Sequence, residues 1–428
     1  MDSIEDLVQK DRNYVWHPFT QMQTAPDPIL IVKAEGATLF AADGKEYLDC
    51  NSSWWVTLHG HNHPHLKQAL LNQFEQIDHV IFAGATHPKA IELAERVVGL
   101  LPDNFQKVFF SDDGSTSVEV AIKMVFQFWH NQSIDKKRIV ALEGAYHGDT
   151  FGAMSISQRG YFNAPFEHLF FEVDYLPFPY SNKEKEVLIA AEKLFASDEC
   201  AAIIVEPLVQ GSAGMMMYSP SFLERLVALA KANQVLVIFD EVMTGWGRTG
   251  KLFAMNYIDS TPDIVCLSKG LTGGVLPLGL TVATEAIYNA FLSPIKTKAL
   301  LHGHSFTGNA LACAVACANI DLIEATSFKE SINRISEQHA AFGDSLKDHP
   351  KVQEVRQMGT IIAVEIKVSG SSSYFAEIRD IAYQYFISNG LLIRPLGNIV
   401  FLNPPYCVTN EELSRMYDGI RGLLSHIK

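Results

Sequence analysis

The stretch "VLVIFDEVMTGWGRTG" (residues 235–250) is an apolar run that ends in two acids and continues into glycines. Gly245, Gly247 and Gly250 match the spacing G-x-G-x-x-G, which raises the question of a dinucleotide-binding turn. In such a turn the first glycine follows the strand directly, and the next helix start receives a pyrophosphate. Here Asp240 and Glu241 stand between strand and glycines, where two carboxylates would repel that anion. "GRTGKLFAMNY" supplies no strong cap with an apolar helix after Gly250, and no acid follows about 20 positions on at a strand end. The dinucleotide reading is set aside.

A carboxylate at a strand tip suits the opposite charge. Asp240 can keep a heteroaromatic nitrogen protonated, which is what pyridoxal phosphate (PLP) requires if its ring is to accept electrons. That reading demands a lysine at another strand tip, able to form a Schiff base. "DIVCLSKG" (263–270) supplies Lys269, 29 residues after Asp240. Apolar surroundings would lower its pKa and make it nucleophilic. An anion cradle is also expected. "KVFFSDDGSTSVEVAIKM" (107–124) places Gly114, Ser115 and Thr116 between a strand and a helix, where N–H groups and the helix dipole favour a phosphate. Tyr146 in "GAYHGDT" (144–150) offers a ring to lie against the pyridine.

Working outward, short apolar runs alternate with amphipathic stretches. The strand candidates are "KVFFS" (107–111), "RIVAL" (138–142), "AAIIVEP" (201–207), "VLVIFD" (235–240), "DIVCLS" (263–268) and "LGLTVAT" (278–284). Continuous apolar runs are expected of a parallel sheet covered by helices on both faces. The pattern predicts an α/β architecture with ligands at the carboxyl ends of the strands. "ILIVKAEGATLFAADGKEYLDC" (29–50) predicts a hairpin turning at Asp43-Gly44 that joins a smaller domain rather than the main sheet. From about residue 330 a helix over 331–347, "GTIIAVEI" and "GLLIRPLGNIVFLNPP" predict a smaller α+β unit. The expected division is 1–55, an N-terminal segment of the small domain; 56–329, the large domain; and 330–428, the C-terminal small domain. "GSSS" (370–373) predicts a loop.

The 428 residues are 48% hydrophobic and 19% charged, with a net charge of −14, which argues against a nucleic-acid partner. No apolar stretch reaches the ~18–20 residues of a membrane span, and the N-terminus has no secretory apolar core. Cys50, Cys200, Cys266, Cys313, Cys317 and Cys407 are scattered in apolar contexts and read as buried free thiols, so a cytoplasmic protein is expected. "HGHNHPH" (59–65) invites a metal, yet loop histidines near an active site account for it as well, and no metal ligand is assigned. "NALACAVACANI" reads as core or dimer interface. Glu206 in "VEPLVQG" reads as a strand-end acid that orients loops, and Arg248 as the partner of a local carboxylate.

Several longer stretches resemble the class III aminotransferases of PLP fold type I: "VWHPFTQM" (15–22), "SSWWVTLHGHNHP" (52–64), "GAYHGDTFGAMS" (144–155), "DEVMTGWGRTGKLFA" (240–254), "SKGLTGG" (268–274), "HGHSFTGN" (302–309) and "IRPLGN" (393–398). The resemblance implies a large domain with a mostly parallel seven-stranded sheet between helices, a small α+β domain built from both termini, and a homodimer with shared active sites. "WHP" and "SSWW" are similar to the branch of that family serving biotin synthesis. That branch implies 8-amino-7-oxononanoate as acceptor and S-adenosylmethionine as donor. Carried over by residue, the resemblance implies Lys269 as the cofactor-bonding lysine and proton carrier, Asp240 as partner of the ring nitrogen, and Tyr146 against the ring. Gly114 and Ser115 would hold the phosphate, with His304 and Ser305 reaching it from the other subunit. Phe19, Trp54, Tyr146, Lys269, Gly303 and Arg394 would contact substrate, with Asp149 and Tyr406 as further pocket candidates.

Two positions depart from the family. Phe19 stands where Tyr is commonest, and His304-Ser305 where Pro-Thr is frequent. The missing hydroxyl leaves lysine open as the donor. A transaminase of the ornithine or 4-aminobutyrate type, an isomerase of the glutamate-semialdehyde aminomutase kind and a PLP-binding regulatory module remain alternatives.

Overall fold

The computed structural model describes residues 2–368 and 377–427; the expected loop at 370–373 lies outside the described residues. At its centre is a seven-stranded sheet. From one edge to the other the strands are Phe105–Ser111, Gly279–Thr284, Ile264–Leu267, Leu236–Asp240, Cys200–Val205, Arg138–Leu142 and Val173–Leu176. Gly279–Thr284 pairs antiparallel with both neighbours, and the other pairings are parallel. All six strand candidates are in this sheet. The seventh strand, Val173–Leu176, gives no apolar run to detect. It carries Asp174 and lies half-buried at the edge, where Asp174 pairs with Arg138.

The middle strands are buried from end to end, as their apolar sequences require. The helix Gly114–Asn131 is capped by Asp113, whose carboxylate accepts the Thr116 N–H at 2.8 Å. Pro220–Ala232 begins with Ser219 as cap and proline at its first position. The apolar helix Ala310–Glu324 is almost wholly buried against Pro64–Phe74 and Pro88–Leu100, so it belongs to the core of this chain. Among the described residues no single helix is long and apolar enough to cross a membrane. Five of the six thiols are buried; Cys407 is exposed, against expectation.

The N-terminal strands Ile31–Glu35, Thr38–Ala41 and Glu46–Asp49 form a meander, with the expected turn at Asp43-Gly44 and a further one at Gly36. Leu391–Leu392 pairs parallel to Glu46–Asp49, so residues from both ends of the chain share one sheet. A second small sheet joins Val352–Met358, Ile361–Ile366 and Ile399–Leu402. The helix expected over 331–347 begins at Thr326 and runs to Leu346, straddling the 329/330 division.

Candidate active site

The carboxyl ends of the parallel strands converge on a chamber of about 700 Å³ lined by Asp240, Lys269, Glu206, Gly114, Ser115 and Tyr146. Asp240 ends its strand with the carboxylate held on both sides. One oxygen accepts the Val242 N–H at 3.1 Å, and the other lies 2.7 Å from His147 Nδ1. Lys269 follows the next strand in a left-handed conformation, φ 46°, the kind of strain that a surrounding structure must impose. Its ammonium nitrogen lies 5.0 Å over the Trp55 ring. Burial pushes the Lys269 pKa down, against the opposing pull of Asp240 and Glu206.

Glu206 ties two loops together. Its carboxylate accepts the Tyr146 N–H at 3.1 Å and the Gly211 N–H at 2.9 Å, as a loop-orienting acid should. Burial pushes its pKa up to about 7, with His147 opposing. At the start of the helix Gly114–Asn131 the Gly114 and Ser115 N–H groups precede the first intrahelical bonds. Ser115 Oγ accepts the Thr150 N–H at 3.0 Å and lies 2.9 Å from Thr150 Oγ1, which fixes the "GAYHGDT" loop over the helix end. A Cβ on Gly114 would come within 2.6 Å of Val242 Cγ1, so a larger residue there would push on the chamber wall where it meets the helix.

A second chamber of about 710 Å³ opens outward from the first, sharing Trp54, Trp55, Tyr146, Asp149 and Lys269 as a throat. Its walls include Phe19, Phe162, Phe401 and Arg394. Phe19 packs on Trp54 and Phe162 with ring centres 5.6 and 5.7 Å apart. The Arg394 guanidinium lies 5.2 Å over Trp54, and among the described residues no carboxylate pairs with it. The turn carrying both tryptophans is strained, with positive φ at Ser52, Ser53 and Trp55. Asp49 anchors it by accepting the Ser53 N–H at 2.7 Å.

Lys269, Asp240, Tyr146, Gly114, Ser115, Phe19, Trp54 and Arg394 are thus brought together, and Asp149 with them. Gly303, His304 and Ser305 are not; they line neither chamber of this chain. The His304 ring lies 2.9 Å from that of His302, and the Ser305 carbonyl accepts from His79 at 2.8 Å. Tyr406 is a correction: it is buried in the core, donating to the Trp246 carbonyl and packing on Phe328. Arg248 is another. Its guanidinium donates to the Pro404 and Thr57 carbonyls and faces the Tyr406 ring, with no carboxylate partner among the described residues. Glu241 turns away from the chamber to accept the Ala254 and Met255 N–H groups. The glycines of the opening stretch shape a buried turn, with positive φ at Gly247 and Gly250. In "HGHNHPH", His59 meets Asn319, His61 meets Asp49 and His65 meets Asp321. His147, Thr150 and Val242 were not singled out from the sequence, although all three lie inside motifs quoted there.

The donor set fits PLP. A carboxylate stands ready for a ring nitrogen, and the Lys269 amine is buried with no hydrogen-bond partner among the described residues. A helix start whose Gly114 and Ser115 N–H groups have no partner among the described residues stands ready for a phosphate.

The family described as aminotransferase class-III matches residues 20–424. A curated relative from Synechococcus elongatus, named adenosylmethionine-8-amino-7-oxononanoate aminotransferase, is 47% identical over 97% of this chain and 99% of its own. The crystal structure of a protein of that name from Methanocaldococcus jannaschii superposes with a TM-score of 0.93 at 34% identity, covering 99% of each chain. An amine transaminase from an uncultivated Pseudomonas species, solved with PLP bound, superposes with a TM-score of 0.91 at 27% identity, over 97% of this chain and 99% of that one.

Proposed function

The chain belongs to the class III aminotransferases, which are PLP-dependent, and on that premise we propose that it transfers an amino group from S-adenosylmethionine to 8-amino-7-oxononanoate in biotin synthesis. The observation that carries this reading is the pair of joined chambers, with Lys269 over Trp55 at the throat and Arg394 over Trp54 beyond it. The relatives from Synechococcus and Methanocaldococcus support it by name.

When bound, PLP supplies an electron sink for the carbanion left when a proton leaves the amine-bearing carbon. Gly114 and Ser115 would hold its phosphate, Asp240 its ring nitrogen as a cation, and Lys269 its carbonyl carbon. The rest of the work belongs to the chain. The Lys269 amine, its pKa lowered by burial, stands where it can take the proton from the donor and later return it. His147 holds Asp240 in place, and Glu206 fixes the loop that carries Tyr146. Phe19, Trp54 and Phe162 offer apolar walls to an apolar chain, while Arg394 takes the distant carboxylate by bidentate pairing. The same aromatic walls suit a sulfonium, since a cation over such rings gains roughly 0.5–2 kcal/mol.

The reading includes a homodimer with shared sites. Gly303, His304 and Ser305 then reach the partner's chamber rather than their own. Leu301 (76% exposed) and Phe306 (62% exposed), which flank that loop in sequence, support a second copy covering it. A second reading of the donor follows from Phe19: with no hydroxyl in that wall, lysine could replace S-adenosylmethionine while the product stays the same.

The test is the absorbance of the bound cofactor during separate additions of S-adenosylmethionine, lysine, ornithine and 4-aminobutyrate. Bleaching by S-adenosylmethionine, reversed by 8-amino-7-oxononanoate, is the expected result. Bleaching by lysine alone would change the donor. Bleaching by ornithine or 4-aminobutyrate alone would remove the biotin assignment and leave the family.

A further inference from the structure

Tyr383, on the helix Glu377–Ser388, lines the outer chamber beside Arg394, Leu392 and Phe401 and does not line the inner one. Its side chain is half-buried, and its hydroxyl has no hydrogen-bond partner among the described residues. Burial raises the hydroxyl pKa while the Arg394 guanidinium lowers it, so the two groups lie within electrostatic reach of one another.

The other cations of this chamber are committed. Arg159 donates to the Met154 and Phe171 carbonyls at 3.1 and 3.3 Å and lies 4.6 Å over Phe170. Lys269 belongs to the throat. What remains on the Arg394 wall is a guanidinium and a phenol, two donors without an acceptor among the described residues. A carboxylate offers about four lone-pair sites, and a guanidinium fork occupies two of them. A second donor on the same wall can take the remaining sites. Phe19 has no hydroxyl to give.

We propose that Tyr383 is a specificity-determining residue, donating its hydroxyl to the substrate carboxylate that Arg394 holds. This rests on reading the outer chamber as the substrate site. Together the two residues select an apolar chain ending in a planar anion over the corresponding alcohol or ester.

The test uses the cofactor-loaded protein and two nine-carbon probes, nonanoate and nonan-1-ol, with binding followed by tryptophan fluorescence. It compares Tyr383→Phe, Arg394→Ala and the unaltered chain. Tyr383→Phe is expected to weaken nonanoate about tenfold, the scale of a hydrogen bond to a charged group, and to leave nonan-1-ol unchanged. In steady state the KM for 8-amino-7-oxononanoate should rise by a similar factor while kcat holds. Equal weakening of both probes would mean a merely structural role and would overturn the inference. Normal nonanoate binding in Tyr383→Phe, with a loss in Arg394→Ala, would overturn it too while leaving the substrate site standing. If neither variant discriminates between the probes, the outer chamber does not read a carboxylate and both readings fail.

Discussion

Glu206 shows how a single side chain can be read from sequence in kind but not in state. A carboxylate ending an apolar strand is visible in "IIVEP"; that it accepts two N–H groups and rests near neutrality is not. Its folded pKa is about 7 against an ordinary 4.5, so the folded chain holds this proton longer than the unfolded chain does. Between about pH 4.5 and 7 the folded state therefore binds more protons, and its stability falls as pH rises through that window. Glu206→Gln should flatten part of that fall in cofactor-free protein, as read by urea unfolding across the window. An unchanged slope would place the proton elsewhere. Asp240 and Lys269 were legible because PLP chemistry demands both at strand tips. Arg248 was not, since nothing in a sequence distinguishes a carboxylate partner from the Pro404 and Thr57 carbonyls that a fold brings near.

At the scale of elements, the start of the helix Gly114–Asn131 is where strand, cap and chamber meet. Gly114→Ala would drive a methyl group to 2.6 Å from Val242 Cγ1 and force that wall inward. Overpacking of this kind costs about 1–3 kcal/mol, so PLP affinity should fall by about one to two orders of magnitude in equilibrium dialysis. Affinity equal to that of the unaltered chain would show that Val242 yields without touching the site. The elements themselves were legible where apolar runs are continuous, as in the six recognised strands. Val173–Leu176 escaped because its pairing partner and its salt bridge to Arg138, rather than its own composition, make it a strand. The early start of the helix Thr326–Leu346 escaped for a related reason: Ala325 precedes it with no side-chain cap to mark the boundary.

At the scale of the whole molecule, strand–helix alternation indicates the α/β class, but the pairing of Leu391–Leu392 with Glu46–Asp49 joins segments far apart in the chain. No local signal carries such a contact; only the resemblance implied that both termini share a unit. His304 and Ser305 likewise line neither chamber of their own chain. If they serve the partner's cofactor, subunits carrying Lys269→Ala and subunits carrying a joint His304→Ala, Ser305→Ala change should complement when mixed. One site of each mixed dimer is then intact, so about a quarter of normal activity is expected on random exchange. No recovery after demonstrated exchange would place that loop outside the shared site.

The most direct test concerns Lys269. Cofactor-loaded protein would be reduced with sodium borohydride, digested and mapped by peptide mass. The expected result is a phosphopyridoxyl group on Lys269 and on no other lysine. Label on a different lysine, or no label at all, would contradict the site from its root.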